Sequence, residues 1–198
     1  MFGGEDARAK RVVLHRGGGR HQATVEQKMA RTRLTQTVTT SILPAMLRVP
    51  RYDDAVRGEA SPGDSSSRFD SRRDPSSDSN RRGAVVLSEA ALRSPVGSAS
   101  VMLDQVEHLA AQAHRPNLAV GVVPLRAVLP SAIHCGFEIH DHQMVAVHVT
   151  TGSLIMTDPK DVRTYQDQFR GLHGRAVFGT DAHQVLRMVI EDYEEIKC

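Results

Sequence analysis

Between residues 61 and 83 the chain changes character, and that break constrains the fold more than any single motif does. Those 23 residues include eight Ser, four Asp and five Arg, with Phe69 as the one large apolar side chain. Such a stretch cannot bury enough surface to offset the entropy lost on ordering, so it is expected to be a disordered linker. Residues 84–198 beyond it carry the sustained apolar patterning and are expected to form the main domain. Residues 1–23, with Gly17, Gly18 and Gly19 set among basic side chains, read as a flexible arm. Residues 24–60 read as an N-terminal helical part of the domain, with a helix through about Leu34 before the threonine-rich run from Thr35 to Thr40.

Within the main domain, Ala84 to Leu87 is a short apolar strand, and Leu118 to Leu125 is an almost continuous aliphatic run suited to a strand buried on both faces. Two further strands are expected at about 135–140 and 144–150. Val101, Met102, Gln105, Val106 and Leu109 recur at helical spacing, with Ser98 or Ser100 as the cap. Asp158 followed by Pro159 starts a helix with Val162, Tyr165, Phe169 and Leu172 on its buried stripe. Asp181 and Gln184 open a last one. This order predicts an α+β, or mixed α/β, fold: a small aliphatic sheet of about four or five strands packed with helices. Aromatics are 4% of the chain and Trp is absent, so that core has to be aliphatic.

Composition excludes several classes of protein. Two cysteines, Cys135 and Cys198, cannot supply a disulfide framework. No apolar run approaches the roughly 18 residues a membrane-spanning helix needs, so no membrane contact and a cytoplasmic location are expected. Residues 1–33 hold eight Lys or Arg against three acids, which suits weak nonspecific contact with nucleic acid and equally suits a solvated tail.

The segment from Leu87 to Gly97, followed by Met102 to Leu109, then Arg115-Pro116-Asn117-Leu118 and Val122-Val123-Pro124, resembles a known family. Asp158-Pro159 and Phe169-Arg170-Gly171-Leu172 continue the likeness, and Ile42 to Tyr52 looks like a worn form of a Pro-Gly-Leu-Leu-Gln-Thr-Pro-x-Tyr stretch, with Ala45 and Arg48 in place of its Gly and Gln. The resemblance is to the antitoxin-like sensor domain that follows the helix-turn-helix in actinobacterial Xre-type transcriptional regulators. It implies a regulatory domain with a protein partner, a small-molecule ligand or a second copy as what it binds. Family members place about 70 residues of helix-turn-helix before this domain, more than the stretch here provides for a braced reading helix, so the expectation is a domain without its own DNA reader.

Histidine is concentrated where the likeness weakens. His134, Cys135, Glu138, His140, Asp141, His142 and His148 fall within 15 residues. Residues two apart on a strand share a face at about 6.5 to 7 Å, so Glu138, His140 and His142 point together if the strand persists. His148 joins them only if the hairpin loop is odd in length. Such a set suits a transition metal (Zn, Cu or Fe) held by His140, His142 and His148. It equally suits acid/base catalysis by Glu138, His140, His142 and His148 with Cys135 as nucleophile, in an enzyme of specialised metabolism recruited from this scaffold. Exposed hairpin histidines with no chemistry are the plain alternative. Three functional readings therefore stand: a regulatory or interaction domain, an enzyme, and a DNA-binding regulator acting through the basic arm.

Overall fold

Strands from both halves of the chain build one sheet. The computed structural model describes residues 12–15, 27–29, 31–58, 80–130, 132–149 and 152–197. Its strands are β1 (Val12–His15), β2 (Leu34–Thr39), β3 (Arg82–Ser88), β4 (Leu118–Val123), β5 (Phe137–His140), β6 (Met144–Val149) and β7 (Gly152–Met156). They form one seven-stranded sheet in the order β1-β7-β6-β5-β2-β3-β4. The mixed α+β expectation holds, with a sheet larger than the four or five strands anticipated. β2, β3 and β4 are parallel, while β2 to β5 and every pairing beyond it is antiparallel.

The helices are α1 (Pro50–Arg57), α2 (Glu89–Arg93), α3 (Ala99–Gln112), α4 (Pro159–His173) and α5 (Gly179–Lys197). No helix among the described residues is long and apolar enough to cross a membrane. Ser98 caps α3 by accepting from the Val101 N–H, and the Asp158 carboxylate caps α4 by accepting from the Lys160 N–H at 2.8 Å. Side chains on alternate faces of the parallel strands feed two cores. Val85, Leu87, Val120 and Val122 pack under α1, α3 and α5, and Val38, Val86, Phe137 and Ile139 pack against Val162, Phe169 and Leu172 of α4.

Three boundary expectations change. Residues 24–60 are helical only in part: residues 27–29 and α1 are helical, but Leu34–Thr39 between them is a central strand that joins the parallel and antiparallel halves. Its β-branched threonines fit a pleated surface better than a helix. The arm at 1–23 contains β1, which pairs with β7 at one edge, and the remainder of the arm lies outside the described residues. Of the linker at 61–83, residues 61–79 lie outside the described residues, whereas Arg82 and Gly83 already belong to β3.

The worn Ile42 to Tyr52 stretch is held by one side chain from α3. Gln105 is fully buried, its amide donates to the Leu47 carbonyl at 2.8 Å, and its carbonyl accepts from the Val49 N–H at 2.8 Å. Tyr52, also fully buried, accepts from the Leu43 N–H, and burial pushes its phenol up despite that bond and nearby Arg48. At the far edge, Gly121 lets the Phe178 ring lie against β4, because a Cβ there would meet ring carbons at 2.4 Å. Gly121→Ala is expected to lower the unfolding free energy by about 1 to 3 kcal/mol in urea titration, with Phe178→Leu restoring part of the loss.

Candidate functional site

The histidine-rich hairpin owes its register to a tight turn. Asp141 and His142 both take left-handed conformations, at φ 48° and 59°, and the Gln143 N–H donates to the His140 carbonyl at 2.9 Å. This is the primed turn geometry that matches strand twist. Asp141 tolerates it because its carboxylate accepts from the Arg33 and Leu34 N–H groups, at 2.9 and 2.8 Å, and so ties the turn to the start of β2. His140 pairs with Met144 and Glu138 with Ala146, so three residues intervene and the loop is odd. His148 consequently lies on the same sheet face as Glu138 and His140.

The structure brings together Glu138, His140 and His148, and adds Thr37 and Ser153, which sequence reasoning missed. Glu138 and His140 are 4% and 6% exposed. The Glu138 Oε2 lies 3.4 Å from His140 Nε2, and its Oε1 lies 3.9 Å from His148 Nε2. Ser153 Oγ is 2.8 Å from His148 Nδ1 across the β6–β7 pair. Burial alone would raise the Glu138 carboxyl, but His140 and then His148 outweigh it and hold the group well below the usual carboxylate range. Thr37 Oγ1, Glu138 Oε2 and both ring nitrogens of His140 make no aligned hydrogen bond. The signal for Thr37 and Ser153 is purely cross-strand: each stands opposite a cluster residue, and pairing partners are not written in one strand's sequence.

The expected metal and catalytic sets are not assembled as proposed. His142 sits exposed in the turn, away from the face that holds His140. Cys135 packs with the α4-facing core, on the opposite side of the sheet from Glu138. Among the described residues no group of three His, Cys, Asp or Glu side chains is placed to hold a metal ion. Ser153, His148 and Glu138 have the order of a nucleophile relay, but Ser153 is 3% exposed and 3.9 Å is too long for an orienting hydrogen bond. What the geometry does show is a buried Glu138–His140 pair joining β5 to its neighbours, with the exposed His148 at its edge.

A second region lies beyond the C-terminal ends of the parallel strands. Leu125, expected inside a buried strand, is instead at the corner of a β-turn, because β4 stops at Val123 and the Ala127 N–H donates to the Pro124 carbonyl at 2.9 Å. Leu125 is 58% exposed, Val128 77% and Leu129 38%. Arg126, at the other corner, is exposed. Three contacts hold this loop. The Leu125 N–H donates to Glu89 at 2.9 Å, Gln168 donates to the Ala132 carbonyl at 3.2 Å, and Pro130 sits where a Cβ on Gly171 would be 2.9 Å away. Behind Leu129 and Ile133 opens a cleft of about 30 Å³, walled by Val38, Val86, Val123 and Leu172.

Comparison with known proteins gives a family and little else. No curated protein matches the sequence. Among solved structures the fold is similar to that of TrmBL2, described as an archaeal chromatin protein with a novel mode of DNA binding. The TM-score is 0.45 at 10% identity, over 90% of this chain and 57% of that one. This chain thus spans little more than half the length of that neighbour. The model of the domain of unknown function DUF5753 matches residues 18–188. With most of its length inside that match, the chain belongs to the DUF5753 family.

Proposed function

We propose that this chain is a regulatory domain that acts by docking a protein partner at the loop after β4. One observation carries the reading: Leu125, Val128 and Leu129 stand exposed on a loop fixed at both ends. Exposed apolar side chains grouped on a tethered surface loop are the kind of feature an interaction site uses. The resemblance to sensor domains of Xre-type regulators supports the same reading, with regulation exerted through the partner. The buried Glu138 cluster serves the scaffold in this account.

Affinity co-purification of the full chain from its native cells tests it. The wild-type chain is expected to retain a protein at near-equal stoichiometry, and a chain carrying Leu125→Asp and Val128→Asp, the two most exposed of the three, to lose it. Exposed substitutions of this kind change stability by about 0.5 kcal/mol or less, so the variant keeps its melting temperature. Equal recovery by both chains would remove the loop from the docking site.

A further inference from the structure

We infer that the end of the sheet where β2, β3 and β4 begin is a binding surface for the phosphate backbone of duplex nucleic acid, with Arg31, Arg33 and Arg82 as its contacts. It lies at the opposite end of the parallel strands from the loop after β4, and it does not depend on docking there.

Backbone pairing between distant segments assembles this surface. The Arg82 N–H donates to the Arg33 carbonyl at 2.8 Å, and the Gly83 N–H to the Asn117 carbonyl at 2.9 Å. The Leu118 N–H donates to the Arg115 carbonyl at 3.2 Å, and Asp141 closes the row by accepting from the Arg33 and Leu34 N–H groups. Residues 31–34, 80–83, 114–118 and 141–143 therefore meet at one end of the sheet. They carry five arginines, Arg31, Arg33, Arg81, Arg82 and Arg115, against one acid, Asp141. The start of α5 is close by, with the His183 ring 5.4 Å from that of His114, and it brings one first-turn acid, Asp181. Arg31, Arg33 and Arg82 are exposed, whereas Arg81 and Arg115 are half-buried.

The chemistry of the surface selects phosphate. Its full charges are guanidinium groups, whose forks present paired donors to phosphate oxygens and which stay charged at any working pH. Neighbouring strands lie about 4.8 Å apart, so three strand ends span about 10 Å, a length of duplex axis that carries about six phosphate charges. None of the four stretches contains Phe, Tyr or Trp. Stacking on unpaired bases and anchoring in a bilayer interface both draw on such rings, so a duplex backbone fits this surface better than a single strand or a lipid surface does. Contacts of this kind hold a duplex without reading its sequence.

The test is a fluorescein-labelled DNA duplex of mixed sequence, titrated with the full chain from about 50 to about 200 mM salt and read by anisotropy. The logarithm of the binding constant is expected to fall against the logarithm of salt with a slope of about −2.7 or steeper, from about 0.9 for each of the three contacts. Arg31→Gln, Arg33→Gln and Arg82→Gln together are expected to flatten that slope by about 2.7 and to weaken binding at the lowest salt by about a hundredfold, with the melting temperature unchanged. Arg82→Gln alone flattens it by about 0.9, so the outcome does not hang on the triple variant folding. A slope that moves only when Arg8, Lys10 and Arg11 are replaced by Gln assigns binding to the basic arm and overturns the inference. Absence of binding at the lowest salt overturns it too. Tighter binding to a polyglutamate peptide than to the duplex makes an acidic protein segment the occupant and likewise overturns it.

Discussion

Replacing Gln105 by leucine is expected to lower the unfolding free energy by about 2 to 5 kcal/mol, measured by urea titration at neutral pH. The two side chains are close in volume, so packing of α3 changes little and the loss isolates polar pairing. The Gln105 amide spans the Leu47 carbonyl and the Val49 N–H, both at 2.8 Å, from a position with no solvent exposure. Leucine strands both backbone groups in the core, and an orphaned buried group costs about 1 to 3 kcal/mol. The segment concerned leads from β2 through the turn at Ala45–Leu47 into α1, so its loosening is expected to appear first as faster amide exchange there. A loss below about 1 kcal/mol would mean that these groups find other partners, contrary to the role assigned to Gln105.

His140→Ala is expected to cost about 3 to 5 kcal/mol at neutral pH, because it leaves the Glu138 carboxylate buried without its nearer partner. The pH dependence follows from the direction of the Glu138 shift. Its carboxyl is held low in the folded chain, whereas an unfolded glutamate titrates near about 4.3. The unfolded chain therefore binds the extra proton first. The stabilisation is fully present above about pH 4.3 and drains away as pH falls toward the folded value. Glu138→Gln removes this one-proton linkage, and its stability profile below about pH 4.3 is expected to be flatter by about 1.4 kcal/mol per pH unit. Parallel acid limbs in the two chains would show that Glu138 is not the group responsible.

The parts of the fold legible in sequence are those where one residue's neighbours along the chain decide its state. Ser98, Asp158 and Pro159 announce helix starts because capping acts within a single turn. The valine runs of β3 and β4 announce strands buried on both faces. That Leu34 to Thr39 is a strand within the span expected to be helical is not legible locally, because its role comes from β3 on one side and β5 on the other, pairings set by residues far along the chain. Leu125 was misread because hydrophobicity alone does not distinguish the end of a buried strand from an exposed corner; Pro124 was the local warning.

The sequence by itself determined a mixed aliphatic fold, its helix caps and a histidine-rich hairpin. It also narrowed the face of His148 to a question of loop parity. Only the tertiary structure answered that question, through a three-residue loop clamped by Asp141 to β2. It also separated Cys135 and His142 from Glu138, buried Glu138 with His140, and left Leu125, Val128 and Leu129 exposed on the loop after β4. The physical reason is the same in each case: which face a strand residue presents, and what covers it, are set by pairings between distant segments that no local pattern encodes.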